Sequence, residues 1–218
     1  MIFRRKAKNE DLENATGDEA GTGTADPRDE GPFDSSEVDP ELLEADDRID
    51  LGALVISGLP GMELRLQVDE QSGQVQAILL VVEESALELR AFAAPKRSGI
   101  WDEVRQEIAG EATRMGGTAT EAEGTFGTEL VLVVPVEDPD GKIYSQTSRV
   151  VGIDGPRWLL RATILGRAAV EPDAAAPLEQ TLRQVIVVRG DEPMAVRESL
   201  PLRLPPGAEP IAGDAEQA

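Results

Sequence analysis

The chain has 218 residues, 42 of them acidic against 21 basic, and neither a cysteine nor a histidine. Those two absences exclude disulfides, thiolate nucleophiles, Cys/His zinc sites, Ser-His-Asp triads and any imidazole acid or base. The net charge of −21 repels phosphate backbones at long range, so general nucleic-acid binding is not expected. Apolar residues make up 40% of the chain and aromatic ones 3%, which calls for a core of Val, Leu, Ile and Ala. The length suits one substantial domain with an appendage.

The first 50 residues differ in kind from the rest. After the basic start Arg4, Arg5, Lys6 and Lys8, the stretch from Glu10 to Asp47 holds a single base, Arg28, among its many acids. Too little apolar surface is present to offset chain entropy, and residues 1–50 read as a disordered acidic tail. One short segment, Pro40-Glu41-Leu42-Leu43-Glu44, has the makings of a helical turn. Leu42 and Leu43 are the candidate anchors of a partner-binding arm. No apolar stretch follows the basic start, so export is not expected. The longest apolar runs, 77–82 and 130–136, fall far short of the ~20 residues that cross a bilayer. They read as buried strands in a cytoplasmic protein, with no membrane contact.

From Leu51 the pattern becomes short β runs between turn residues. Leu51 to Ser57 is β-rich; Met62, Leu64, Leu66 and Val68 alternate with polar residues as in a half-buried strand; 74–82 and 87–93 complete an expected four-stranded meander. A helix follows, with Ser98 as its expected cap. Ile100, Trp101, Val104, Ile108, Ala112 and Met115 fall at spacings of three and four, and Gly116-Gly117 ends it. The second half offers strands at 118–123, 129–136, 142–153 and 157–165, a shorter helix at 174–183 and a last strand at 185–189. Leu89-Arg90-Ala91 and Leu160-Arg161-Ala162 each lie in the last strand before a helix, which suggests a degenerate duplication of four strands plus helix. Beyond Gly190 the chain is proline-rich, and Leu200, Leu202 and Leu204 alternate as in an edge strand or strap. Residues 206–218 read as a frayed end.

Little in this sequence carries chemistry. Arg189-Gly190-Asp191 and Asp138-Pro139-Asp140-Gly141 read as turns, since the first is too short a motif and the second lacks the Glu that closes a calcium loop. No phosphate loop and no nucleophile elbow is present. The remaining constellation is arginine on strands. Alternation puts Arg157 and Arg161 on one face, and Arg149, Arg189 and Arg197 converge on it if neighbouring strands pair as a meander, making a basic groove suited to a carboxylate or phosphate. Pairing of these arginines with the many acids is the competing structural explanation.

The run Arg149-Val-Val-Gly-Ile-Asp-Gly-Pro-Arg-Trp-Leu-Leu-Arg161, with Val185-Ile-Val-Val-Arg-Gly-Asp-Glu-Pro-Met194 and Leu200-Pro-Leu-Arg-Leu-Pro205, resembles the actinobacterial domain-of-unknown-function 3710 family over roughly residues 40 to 205. The resemblance implies a bacterial cytosolic protein and assigns no catalytic residue.

The expected architecture is therefore one α+β domain at 51–205, mostly antiparallel sheet with two packed helices. The leading functional expectation is a non-catalytic binding or adaptor protein for an unknown protein partner, without metal or cofactor. The alternative is a module for an anionic small molecule or nucleotide at Arg149, Arg157, Arg161 and Arg189. A hydrolase that relies on carboxylates alone ranks third.

Overall fold

The computed structural model describes residues 28–69 and 73–205. Eleven strands run in chain order: β1 (Phe33–Asp34), β2 (Arg48–Asp50), β3 (Leu54–Ser57), β4 (Glu63–Val68), β5 (Val75–Val82), β6 (Ser85–Ala93), β7 (Thr118–Gly124), β8 (Gly127–Glu137), β9 (Ile143–Gly155), β10 (Trp158–Gly166) and β11 (Ile186–Val187). Helix α1 (Trp101–Arg114) lies between β6 and β7, and α2 (Pro172–Arg183) between β10 and β11. The large sheet has seven antiparallel strands in the order β4-β5-β6-β10-β9-β8-β7, and a small sheet has the order β1-β11-β3-β2. The protein is α+β and mostly antiparallel, with two helices, as its sequence pattern implies. No helix among the described residues is long and apolar enough to cross a membrane.

Strand alternation divides the large sheet into two faces. On one face Leu87, Leu89, Ala91, Leu160, Ala162 and Ile164 meet Ala175, Leu178 and Leu182 of α2 together with Leu51, Leu54, Ile56 and Val187 around the small sheet. On the other face α1 sets Ile100, Trp101 and Ala112 on Leu130, Leu132, Val150 and Leu159. Each fully buried Leu or Ile in these layers contributes about 1.5–3 kcal/mol. Among the described residues the buried aromatic side chains are Trp101, Phe126 and Trp158, and the aliphatic composition accounts for most of the rest.

Three sequence expectations change. The run at 51–57 does not join the meander, because β3 pairs with β2 and β11 in the small sheet. The two Leu-Arg-Ala tripeptides face each other in the same antiparallel pair, with Arg161 opposite Arg90. A twofold axis relating such strands stands perpendicular to the sheet and keeps each face to itself, yet α1 and α2 take opposite faces. The repeat is not carried by the helices.

The third change concerns the tail. Residues 1–27 and the C-terminal 206–218 lie outside the described residues, but 28–50 belong to the fold. Strand β1 pairs in parallel with β11, and Phe33 and Ser35 donate their N–H groups to Val185 O at 3.0 Å and Val187 O at 2.9 Å. Strand β2 pairs with β3. Beneath them the buried carboxylate of Asp34 accepts the indole N–H of Trp158 at 2.7 Å. Acid density hid this segment: its anchors are few, and their partners lie far away in sequence.

Helix α1 starts on an unexpected cap. Ser98 is not used. Asp154, at the end of β9, accepts the N–H of Ile100 at 2.8 Å and of Trp101 at 3.2 Å, satisfying donors that the helix leaves open. The Trp101 ring then lies on Gly152, where a Cβ would fall 2.1 Å from ring carbons. The helix ends as expected, with Gly116 at φ +79° and Gly117 donating to Ala112 O at 2.8 Å. Of the predicted apolar stripe only Met115 points away, at 53% exposure. Asp154→Ala is expected to cost about 1–2 kcal/mol, the value of a helix cap, read as a lowered urea midpoint at unchanged slope.

Candidate anion-binding site

The arginines singled out from the sequence do not converge. Arg149 stands on the α2 face of β9, its Nε 2.7 Å from Glu129 Oε1 and its Nη2 2.8 Å from Glu179 Oε1. The Glu129 carboxylate above all raises its pKa. It lines a cavity of ≈ 360 Å³ with Glu123, Glu129, Glu171 and Glu179, where its charge is already matched. Arg161 lies on the opposite face of the sheet, toward β6.

Arg157 and Arg189 do meet. Both line an open cleft of ≈ 580 Å³ with Lys96, Pro156, Val188, Gly190, Asp191, Leu43 and the 34–36 segment. The geometry follows from three connections. The β9–β10 turn carries Pro156 and Arg157, the chain leaving β11 carries Arg189, and the link from β6 to α1 carries Lys96. Residues Ser35 and Ser36, in the acidic segment before β2, form the fourth wall. Leu43 is half-buried at the edge, whereas its neighbour Leu42 is 43% exposed and outside the cleft.

The cleft gathers three cations that make no ion pair. Most other arginines spend their charge on carboxylates, Arg105 on Asp102 and Glu121, Arg167 on Glu171, Arg197 on Glu103 and Glu107, Arg203 on Asp50. The exceptions among the described residues are Arg97, and Arg48, which donates to Gln184 O. Lys96, Arg157 and Arg189 are in no ion pair among the described residues, in a chain with twice as many acids as bases. The hydrogen bonds of Arg157 and Arg189 go to main-chain carbonyls. Arg157 donates to Gly190 O, and Arg189 donates to Arg157 O at 3.3 Å and Glu192 O at 3.2 Å. The nearby Asp34 carboxylate is committed, since Oδ1 accepts the Ser36 N–H at 2.9 Å and its hydroxyl at 2.5 Å while Oδ2 holds Trp158.

Arg157 also has an unusual backbone. Its φ of +65° is the left-handed region that glycine occupies without cost and a long side chain does not. Such a residue in a cleft points to use of its side chain. Period-two alternation missed this, because Arg157 belongs to the turn and does not share the strand face of Arg161. No sequence signal identified Lys96, Ser35 or Ser36, which reach the cleft through tertiary packing alone. The Asp138–Gly141 segment is a hairpin turn, with Asp138 Oδ1 accepting the N–H groups of Asp140 and Lys142.

No curated protein matches the chain. Among solved structures it is similar to the solution structure of cyanobacterial PsbP (CyanoP) from Synechocystis sp. PCC 6803, with 9% identity, a TM-score of 0.36, and coverage of 62% of this chain and 86% of that one. A family model described as "Protein of unknown function (DUF3710)" matches residues 31–210, a span that takes in the β1 segment, both sheets and all four walls of the cleft, and the chain belongs to that family.

Proposed function

We propose that this chain is a non-catalytic binding protein whose cleft at Lys96, Arg157 and Arg189 takes an anionic small molecule bearing carboxylate or phosphate groups. The observation that supports this reading is the gathering of three cations without ion pairs in one concavity, in a protein where most other arginines are paired with carboxylates. Three cations against the carboxylates of Asp34 and Asp191 leave the lining net positive, and an anion between the cations offsets that charge. Arg157 and Arg189 offer planar forks suited to two oxygens, and Lys96 offers a mobile point charge. Val188, Pro156 and Leu43 supply apolar contact beside them. The net charge of the chain opposes an approaching anion at range, but charges beyond the Debye length of ~8 Å are screened at physiological salt, so the local cations dominate at contact. The adaptor role anticipated from the tail has only Leu43 in this cleft, which places the small-molecule reading first here.

Arg157→Gly separates function from folding. Glycine suits φ +65°, so the melting temperature is expected to hold or rise, while affinity for inorganic pyrophosphate or citrate, titrated calorimetrically into the full-length chain, falls at least about tenfold. Lys96→Ala is expected to weaken the same probes with no thermal effect. Pyrophosphate and citrate both failing to saturate the native chain at millimolar concentration, or binding Arg157→Gly as well as the native chain, would overturn the proposal.

A further inference from the structure

The large sheet is covered unequally. One face is closed by α2 and the small sheet, whereas on the other α1 packs on β7, β8 and β9. Among the described residues, the half of that second face built from β4, β5, β6 and β10 carries no helix apart from the contact of α1 with Leu159 at the start of β10. At its centre Arg90 of β6 and Arg161 of β10 stand directly opposite each other in the ladder, an arrangement that like charges disfavour. A single carboxylate serves both, Glu88 lying 2.9 Å from Arg90 Nε and 3.9 Å from Arg161 Nη2. Arg90 also donates to Gln67 Oε1 at 3.0 Å. The Arg161 guanidinium sits over the Phe92 ring at 5.4 Å, and its Nε is buried without a hydrogen-bond partner. Burial foremost, and then the charge of Arg90, lower the pKa of Arg161. Two guanidiniums thus share one acid, and one of them keeps an unused donor.

We propose that this open half-sheet docks an acidic peptide segment of a partner protein, one carboxylate settling between Arg90 and Arg161 while apolar side chains of the segment lie on Leu79, Phe92 and Leu165. The carboxylate is argued from charge: it supplies the second acid that the arginine pair lacks. The peptide is argued from shape. Leu79, Phe92 and Leu165 are half-buried on three different strands, β5, β6 and β10, so an extended segment adds apolar contact across several strands that a free oxyanion does not. Arginine beside an aromatic ring is also the composition in which protein interfaces concentrate their binding energy. This surface lies apart from the Lys96 cleft and does not depend on what that cleft binds.

The test uses the full-length chain and a fluorescently labelled, end-blocked peptide of alternating Glu and Val, followed by anisotropy. Saturable binding is expected, at least about tenfold weaker in Arg90→Gln and several-fold tighter in Glu88→Gln, which removes the resident competitor for both guanidiniums. A merely structural role for the Glu88 carboxylate predicts no gain. Lys96→Ala and Arg157→Gly are expected to leave peptide binding unchanged, which keeps this outcome separate from that of the cleft. The proposal falls if the peptide does not saturate at millimolar concentration, if Arg90→Gln binds it as well as the native chain, or if inorganic phosphate displaces it at equal concentration. It falls too if binding appears only after the acids between Glu10 and Asp26 are changed to amides, because the chain's own acidic segment is then the occupant.

Discussion

Replacing Arg149 by methionine is expected to destabilise the protein by about 3–5 kcal/mol, the cost of stripping a buried charge of its partner. Arg149 holds Glu129 through two hydrogen bonds of 2.7 and 3.0 Å and Glu179 through one of 2.8 Å. Glu129 is only 4% exposed, so little water reaches its carboxylate to replace the guanidinium. The network also ties separate parts of the fold together. Glu129 comes from β8, Arg149 from β9 and Glu179 from α2, and Thr125 in the β7–β8 turn donates its hydroxyl to Glu179 Oε2 at 2.8 Å. At roughly 2–4 °C per kcal/mol for a domain of this size, the melting temperature is expected to fall by about 10 °C. Changing all three charged residues together, Arg149→Met with Glu129→Leu and Glu179→Leu, is expected to recover most of that loss, because an apolar replacement leaves no charge stranded. A loss below about 1 kcal/mol in Arg149→Met means that the two carboxylates are hydrated and the triad is a surface feature.

The elements legible in the sequence are those whose signal is local. The period of two in Met62 to Val68, the three-and-four spacing from Ile100 to Ala112, and the turn residues at Asp138 to Gly141 each specify a structure from neighbouring residues, and β4, α1 and the β8–β9 turn stand where those patterns put them. What escaped is non-local. Asp154 caps a helix that begins 53 residues earlier in the chain, and nothing near Ser98 announces it. The cleft is similar. Arg157 and Arg189 carry chemistry that the sequence could flag, but the grouping of Arg157 with Arg161 assumed a strand where the chain makes a left-handed turn. Lys96 and Ser36 carry no pattern at all. Arg149 and Arg161 show the converse: suitable chemistry on the right strands, but on opposite faces of the sheet. A residue's face follows from register, and register is set by partners that a single sequence does not name.

A chain shortened to residues 51–218 is expected to lose at least about 5 kcal/mol relative to one that begins at residue 28, since it uncovers several large side chains worth about 1.5–3 kcal/mol each. Removing 28–50 takes away both outer strands of the small sheet, so that Ile56, Ile186 and Val187, each at most 1% exposed in the fold, lose their cover. It also strips Trp158 of two partners. The indole N–H loses the Asp34 carboxylate, an orphaned donor that itself costs about 1–3 kcal/mol, and the ring loses the Arg28 guanidinium that sits 5.7 Å from its centroid. The shortened chain is therefore expected to melt at least about 10 °C lower, measured by circular dichroism on both chains at equal concentration. The same cut removes Ser35, Ser36 and Leu43 from the cleft, so pyrophosphate binding should weaken below the melting transition as well. If the two chains melt together, composition was the better guide to the start of the domain, and the pairing of β1 with β11 adds nothing to stability. If they differ as expected, the acidic segment is both a structural strap and a wall of the binding site.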